Sequence, residues 1–207
     1  MTTNESTIIL KPGREKPIEN GHPWVFSGAV RAIEGVTPTP GDILAVRRHD
    51  GMFLGRGYWN PQSQIQLRML TWDDEPIDDD WWRRMLSRAI NARELHNLRY
   101  EAGEAAAYRL VNAENDYLPG LIVDRYGDWL VLQALTLGID KRKKEIAAIL
   151  ADVLKPEGIY ERSDVDVREK EGLRETTGVL WGEAPPDKVV IDEGWQMLVD
   201  LYAGHKT

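Results

Sequence analysis

Four histidines, at 22, 49, 96 and 205, are scattered along the 207-residue chain. No two stand at the His-x-His or His-x-x-x-His spacing that brings imidazoles to one metal. Cysteine is absent, which removes disulfides, thiolate metal sites and thiolate nucleophiles together. No Gly-x-Ser-x-Gly elbow, Walker loop or Gly-x-Gly-x-x-Gly turn occurs, and no two of the many carboxylates are spaced to single out an acid–base pair. The chemistry that the residue types do suit is recognition. Arg14 and Lys16 run ahead of His22 and Trp24, an arrangement in which the cations could grip phosphates while His22 or Trp24 stacks on a base. The plainer reading places Trp24 and Phe26 in the core and the basic residues on a solvated helix face. On residue type alone Trp24 is expected in the core. The densest polar stretch, Tyr160 to Gly172, reads either as a solvated loop laced with salt bridges or as a docking or RNA surface.

The elements that must position these residues follow from punctuation and periodicity. An acidic, proline-containing break from Trp72 to Asp80 divides the chain into two domains. The first 70 residues carry eight Lys/Arg against six Asp/Glu, a net charge of +2, so the remaining 137 carry -10 of the total of -8. The net charge of -8 argues against binding nucleic acid by bulk attraction, but the charge is uneven, with a mildly basic first domain. With 42% apolar and 29% charged residues the balance is that of an ordinary globular protein. There is no apolar run of membrane-spanning length and no signal-peptide pattern at the start, so the expected location is cytoplasmic, without a membrane partner.

In the first domain, strand-like runs at 42–48 and 52–58 flank Asp50-Gly51, a strong hairpin signal. Ile65, Leu67 and Met69 alternate with polar residues as in a half-buried strand. Gly55-Arg56-Gly57 sits inside a strand pattern, where glycine marks a bulge. With a short strand and a possible helix before them, these runs fit a small twisted β-barrel. In the second domain, Trp82, Leu86, Ala89 and Ile90 stand at helical spacing in a connecting helix. Residues 108–135 give three strands parted by turns at Glu114–Asp116 and Tyr126–Asp128. Asp140 is expected to cap a helix that Pro156 and Gly158 stop, and the chain returns as a strand at 158–161. Leu198–Tyr202 reads as a buried strand with nothing downstream to pair with. It is therefore expected to be unpaired or satisfied by self-association.

Four strings, "KPGREKPIENGHPWVFSGAV", "YRLVNAENDYLPGLIVDRYGDWLVLQ", "IYERSDVDVREKEGL" and "LVDLYAGHKT", resemble the N-terminal half of the bacterial S-adenosylmethionine-dependent 23S rRNA cytosine-C5 methyltransferases. The resemblance covers essentially the whole chain in order. It implies a mixed α/β (α+β) chain with an RNA-binding PUA domain over residues 1–73, an acidic linker and connecting helix over 74–103, and a central α+β domain over 104–192. Residues 193–207 would be the first strand of a truncated methyltransferase domain whose class I, Rossmann-like body is absent. It further implies RNA contacts by Lys11, Arg14, Lys16 and His22, and by Arg162, Arg168 and Lys170, which face either 23S rRNA or the missing domain. Lys206 and Thr207 would lie at the S-adenosylmethionine site of a complete enzyme.

Methylation of cytosine C5 needs a low-pKa thiolate and a cofactor pocket. The chain has no cysteine, no glycine-rich cofactor turn and no Asp-Pro-Pro motif. The expectation is therefore a recognition half that carries no cofactor and no catalysis of its own. The alternative is a free-standing adaptor that binds RNA or protein without methyl transfer.

Overall fold

Alternating and bulged strands dominate the first seventy residues of the computed structural model, which describes residues 5–94, 106–192 and 196–204. The elements are β1 (Thr7–Leu10), α1 (Lys16–Glu19), β2 (Trp24–Phe26), β3 (Val30–Glu34), β4 (Ile43–Arg47), β5 (Phe53–Trp59) and β6 (Ile65–Thr71). They form one sheet in the order β2-β6-β5-β4-β1-β3, with β1 and β4 parallel and every other pair antiparallel. Register shifts in four of these pairings bend the sheet around a core that includes Ile8, Leu10, Ile18, Val25, Leu44 and Leu67. The end strands β2 and β3 follow one another in the chain through a single 3-10 turn, Ser27–Ala29. That short link brings the two edges of the curled sheet together. The expected Asp-Gly hairpin is present, with Gly51 at φ 93°. The bulge at Gly55 and Gly57 is present as well. A Cβ at Gly57 would lie 2.1 Å from the Arg68 carbonyl oxygen, so only glycine permits this strand approach.

The second unit contains α2 (Asp79–Glu94), β7 (Ala107–Asn112), β8 (Leu121–Tyr126), β9 (Trp129–Ala134), α3 (Leu137–Leu154), β10 (Gly158–Ser163) and β11 (Thr176–Gly182). Its five-stranded sheet runs β11-β10-β9-β8-β7, with β9 and β10 parallel across α3. On α2, Trp82, Leu86, Ala89 and Ile90 are buried as their spacing predicts, and Trp81 is buried beside them. Helix α3 buries Ile139, Ile146, Ile149 and Leu150. Each such side chain contributes roughly 1.5–3 kcal/mol relative to exposure. Among the described residues no helix is long and apolar enough to cross a membrane.

Two local expectations need correction. Asp140 does not cap α3. The helix starts at Leu137 with Thr136 in the cap position, and the Thr136 hydroxyl is engaged at 2.8 Å by the phenol of Tyr58 instead of the helix backbone. Asp140 turns to Lys143 and Arg168. The second correction concerns the last strand. It spans Gln196–Val199 (β13) and pairs antiparallel with β12 (Val189–Asp192) inside the chain, so it is neither unpaired nor in need of a second copy. Leu198 is exposed, and the apolar anchor is Leu201, buried against Trp129 and Val131. Periodicity locates an apolar strand but cannot say that its partner is the strand just upstream, at Val189–Asp192.

The two units share a core. Tyr58 of β5 is fully buried among residues of the second unit, and its hydroxyl donates to the Pro119 carbonyl at 2.7 Å. Gly138 lies against its ring, where a Cβ would stand 2.2 Å from Cγ. Burial pushes the Tyr58 phenol above its ordinary value of 10.0. A raised acid pKa in the folded state means stability that is present below pH 10 and lost as pH rises beyond it, by about 1.4 kcal/mol per pH unit for one proton. Tyr58→Phe should make alkaline unfolding between pH 10 and 12 shallower by about one proton, as measured by denaturant titration at each pH.

Candidate nucleic-acid interface

From the end of β1 the chain passes through Lys11 and the left-handed Gly13 into Arg14, then into the four-residue helix α1. Ile18 plugs the barrel core. Gly21 at φ 82° turns the chain back, and the His22 N–H donates to the Pro17 carbonyl at 2.8 Å. The outcome is a knuckle on which Lys11, Arg14, Lys16 and His22 are all exposed. Lys11 Nζ donates to the Gly28 carbonyl at 2.9 Å. Beside the knuckle, β2 is an end strand of the sheet.

Trp24 and Phe26 are not core residues. Trp24 is half-buried and Phe26 is 48% exposed. Their outward neighbours make a row of rings: His22 to Trp24 at 5.5 Å and Trp24 to Phe26 at 6.2 Å, both edge to face. The row is fixed at both ends of Trp24. Its backbone N–H donates to His22 Nδ1 at 3.1 Å, and its indole N–H donates to Glu114 of the second unit at 2.9 Å. Arg14, Pro17, His22, Trp24 and Phe26 line a groove of about 440 Å³. In a strand of alternating sides, Val25 takes the core and its neighbours face out. The in–out assignment, which residue type alone gets wrong, depends on the register with β6.

The 160–172 segment behaves differently. Arg162, Arg168 and Glu171 are buried, and only Lys170 among the cations proposed there is exposed. Arg162 donates to the carbonyls of Leu201 and Gly204. Arg168 donates to the carbonyls of Arg174 and Ala134 and pairs with Asp140 at 3.0 Å. Glu161 pairs with Lys143 at 2.9 Å. These guanidiniums tie loops and strands together from within, while Asp166, Val167, Glu169, Lys170 and Gly172 of the same segment are exposed. Lys206 and Thr207 lie outside the described residues. Among the described residues no group of His, Cys, Asp and Glu is placed to hold a metal ion.

The chemistry of the barrel has a counterpart in known proteins. Residues 8–72 match the family described as PUA-like domain. The chain is 47% identical over 202 residues to Ribosomal RNA large subunit methyltransferase I of Shewanella denitrificans, covering 97% of this chain and 50% of that protein. It is 48% identical over 202 residues to the protein of the same name in Shewanella amazonensis, with the same coverage. The chain thus spans about half the length of these relatives. Among solved structures, one described as a SAM-dependent methyltransferase from Streptococcus mutans matches with a TM-score of 0.74 at 18% identity, covering 96% of this chain and 49% of that one. Another, a methyltransferase complexed with SAH, matches with a TM-score of 0.76 at 18% identity, again over 96% and 49%.

This overlap corrects two expectations. The short motifs place the chain outside the methyltransferase fold and without a cofactor of its own. Structures of methyltransferases, one of them complexed with SAH, instead match almost all of it. The missing glycine-rich turn and the missing Asp-Pro-Pro are local signatures. A fold is set by strand order and packing, which persist at 18% identity without any shared short motif.

Proposed function

We propose that this chain is the RNA-recognition portion of a cytoplasmic, S-adenosylmethionine-dependent ribosomal RNA methyltransferase, and that the barrel groove binds single-stranded rRNA. The observation that carries this reading is the groove itself, with Lys11, Arg14 and Lys16 exposed beside a fixed row of His22, Trp24 and Phe26. Rings with open faces suit unstacked bases, and neighbouring cations suit the phosphates between them. The names of the 47–48% identical relatives support rRNA of the large subunit as the target class. Methylation at cytosine C5 of 23S rRNA is the finer form of the proposal, resting on the four sequence strings. Arg162 and Arg168 act in it as structural anchors, and Lys170 remains a candidate contact.

S-adenosylmethionine, when bound, supplies the methyl group. An adenosyl group calls for flat walls around the base and a free carboxylate for the ribose hydroxyls. Trp72, Tyr117, Asp73 and Glu75 line one groove together, but Glu75 is already bonded to Thr71, Trp81 and Arg84. That leaves Asp73 as the carboxylate of this groove without a bond among the described residues, and no methyl-transfer step runs through the groove.

The test is salt-dependent binding of single-stranded rRNA fragments. Three phosphate contacts give a slope of about -2 in log Kd-derived affinity against log salt, at about 0.7 per contact. Arg14→Ala and Lys16→Ala should each weaken binding and remove about one contact from that slope, with stability within about 0.5 kcal/mol of the parent. Phe26→Ala should weaken binding by about 1–3 kcal/mol while leaving the slope alone. Unchanged affinity and slope in all three variants would refute the barrel groove as the RNA surface.

A further inference from the structure

We propose that the seam between the barrel and the second sheet holds a second nucleobase-stacking site, built by Trp72, Tyr117 and Arg88, so that a single strand on the barrel groove continues across the seam. This rests on reading the barrel groove as an RNA surface.

Tyr117 follows the 3-10 turn Ala113–Asp116 and has φ 60° and ψ 28°, the left-handed region that favours glycine or asparagine. Ala113 is also at positive φ, 45°. Such strain persists only where the surroundings over-determine it, and here they do. The Asp116 carboxylate accepts from the Asn112 N–H at 2.6 Å and from the Arg93 guanidinium, while the Leu118 N–H donates to the Ala113 carbonyl at 3.0 Å. The ring that this strained position presents gains little burial, since Tyr117 is 45% exposed. Arg88 lies over it at 4.8 Å and, among the described residues, has no carboxylate partner.

Trp72 stands perpendicular to Tyr117 at 6.3 Å, its own N–H held by the Ile18 carbonyl at 2.7 Å. The two rings form a wall shared by cavities of about 420 Å³ and 260 Å³, so open ring surface faces both. Two contacts join this wall to the barrel groove. Ile18, which accepts from Trp72, lines that groove, and Glu114, which accepts from Trp24, lines the smaller seam cavity beside Tyr117. The larger cavity holds Arg84 and Arg88 against Asp73 and Glu75, a balance that does not gather phosphate. It suits a base, with Asp73 placed to accept from an exocyclic amine.

The test uses the full chain and labelled oligoribonucleotides of about four and about twelve nucleotides, spanning one platform or both. Tyr117→Gly and Tyr117→Asn remove the ring while suiting the backbone, so the fold is kept and the two variants should agree. Both should weaken binding of the longer strand by about 5- to 150-fold and leave the shorter strand unchanged. Arg14→Ala should weaken both strands. If Phe26→Ala lowers affinity for the longer strand and Tyr117→Gly does not, the seam site is wrong and the barrel reading stands. If the parent chain binds neither strand, both fall. If S-adenosylhomocysteine quenches tryptophan fluorescence and displaces the longer strand in the parent but not in Tyr117→Gly, the seam belongs to the cofactor and the proposal is overturned.

Discussion

Replacing Glu171 with alanine is expected to cost about 3–5 kcal/mol of stability, a fall in melting temperature of roughly 6–20 °C for a chain of this size. The carboxylate is buried and receives Asn60 Nδ2 at 2.9 Å, Ser63 Oγ at 2.7 Å and Arg68 at 3.1 Å, all three from the barrel side of the seam. Deleting it removes the ion pair of a buried guanidinium and the acceptor of a buried hydroxyl, while Asn60 keeps the Glu171 backbone carbonyl at 3.0 Å, and the penalty is that of leaving buried groups unpaired rather than the value of any one bond. Glu171→Gln keeps one acceptor oxygen and should lose less, on the order of 1–3 kcal/mol. Denaturant titration of both variants measures the difference. A loss below about 1 kcal/mol for the alanine variant would mean that the Glu171 cluster does not hold the seam.

Arg168→Ala should lower stability by about 3 kcal/mol and leave the RNA affinity of the folded protein unchanged. Its guanidinium is 2% exposed and spans three partners: the Arg174 and Ala134 carbonyls and Asp140. Asp140 retains Lys143 after the change, which is why the loss falls short of a fully orphaned buried pair. Lys170→Ala, two residues away and exposed, should do the reverse: little effect on stability and, if RNA reaches this face, a weaker complex. Parallel melting curves and binding isotherms separate the two. Lost RNA binding by an Arg168→Ala protein with parental stability would return the 160–172 segment to the RNA surface.

Local chemistry makes much of the architecture readable in the sequence. Asp50-Gly51 marks its hairpin because glycine alone takes that φ without strain. Gly55 and Gly57 mark the bulged strand, and the apolar spacing of α2 and α3 marks their buried faces. The basic knuckle from Lys11 to His22 is likewise legible, because its charge and its turn residues lie within a dozen positions of one another. Four quoted strings also pointed to a methyltransferase family, and the PUA-like match over 8–72 agrees with the first of them.

What the sequence could not determine is which way side chains face when the answer depends on a distant partner. Arg162 and Arg168 sit in a stretch so charged that solvent is the natural assumption. They are inside because carbonyls from residues 134, 174, 201 and 204 converge on them. A buried charge is tolerable only when paired, and the pairing comes from segments that the linear order keeps apart. Trp24 and Phe26 reverse the error. Large rings default to the core, but the register of β2 against β6 turns both outward and gives the inward place to Val25. Tyr117 follows the Glu114–Asp116 turn and is not marked by the sequence, since neither its left-handed backbone nor its neighbour Trp72, 45 positions earlier in the chain, leaves a mark on local pattern. Hairpins, bulges and helix faces are decided within a few residues by steric and capping rules. The orientation of the groove and the seam is decided by long-range pairing, which exists only once the chain has folded.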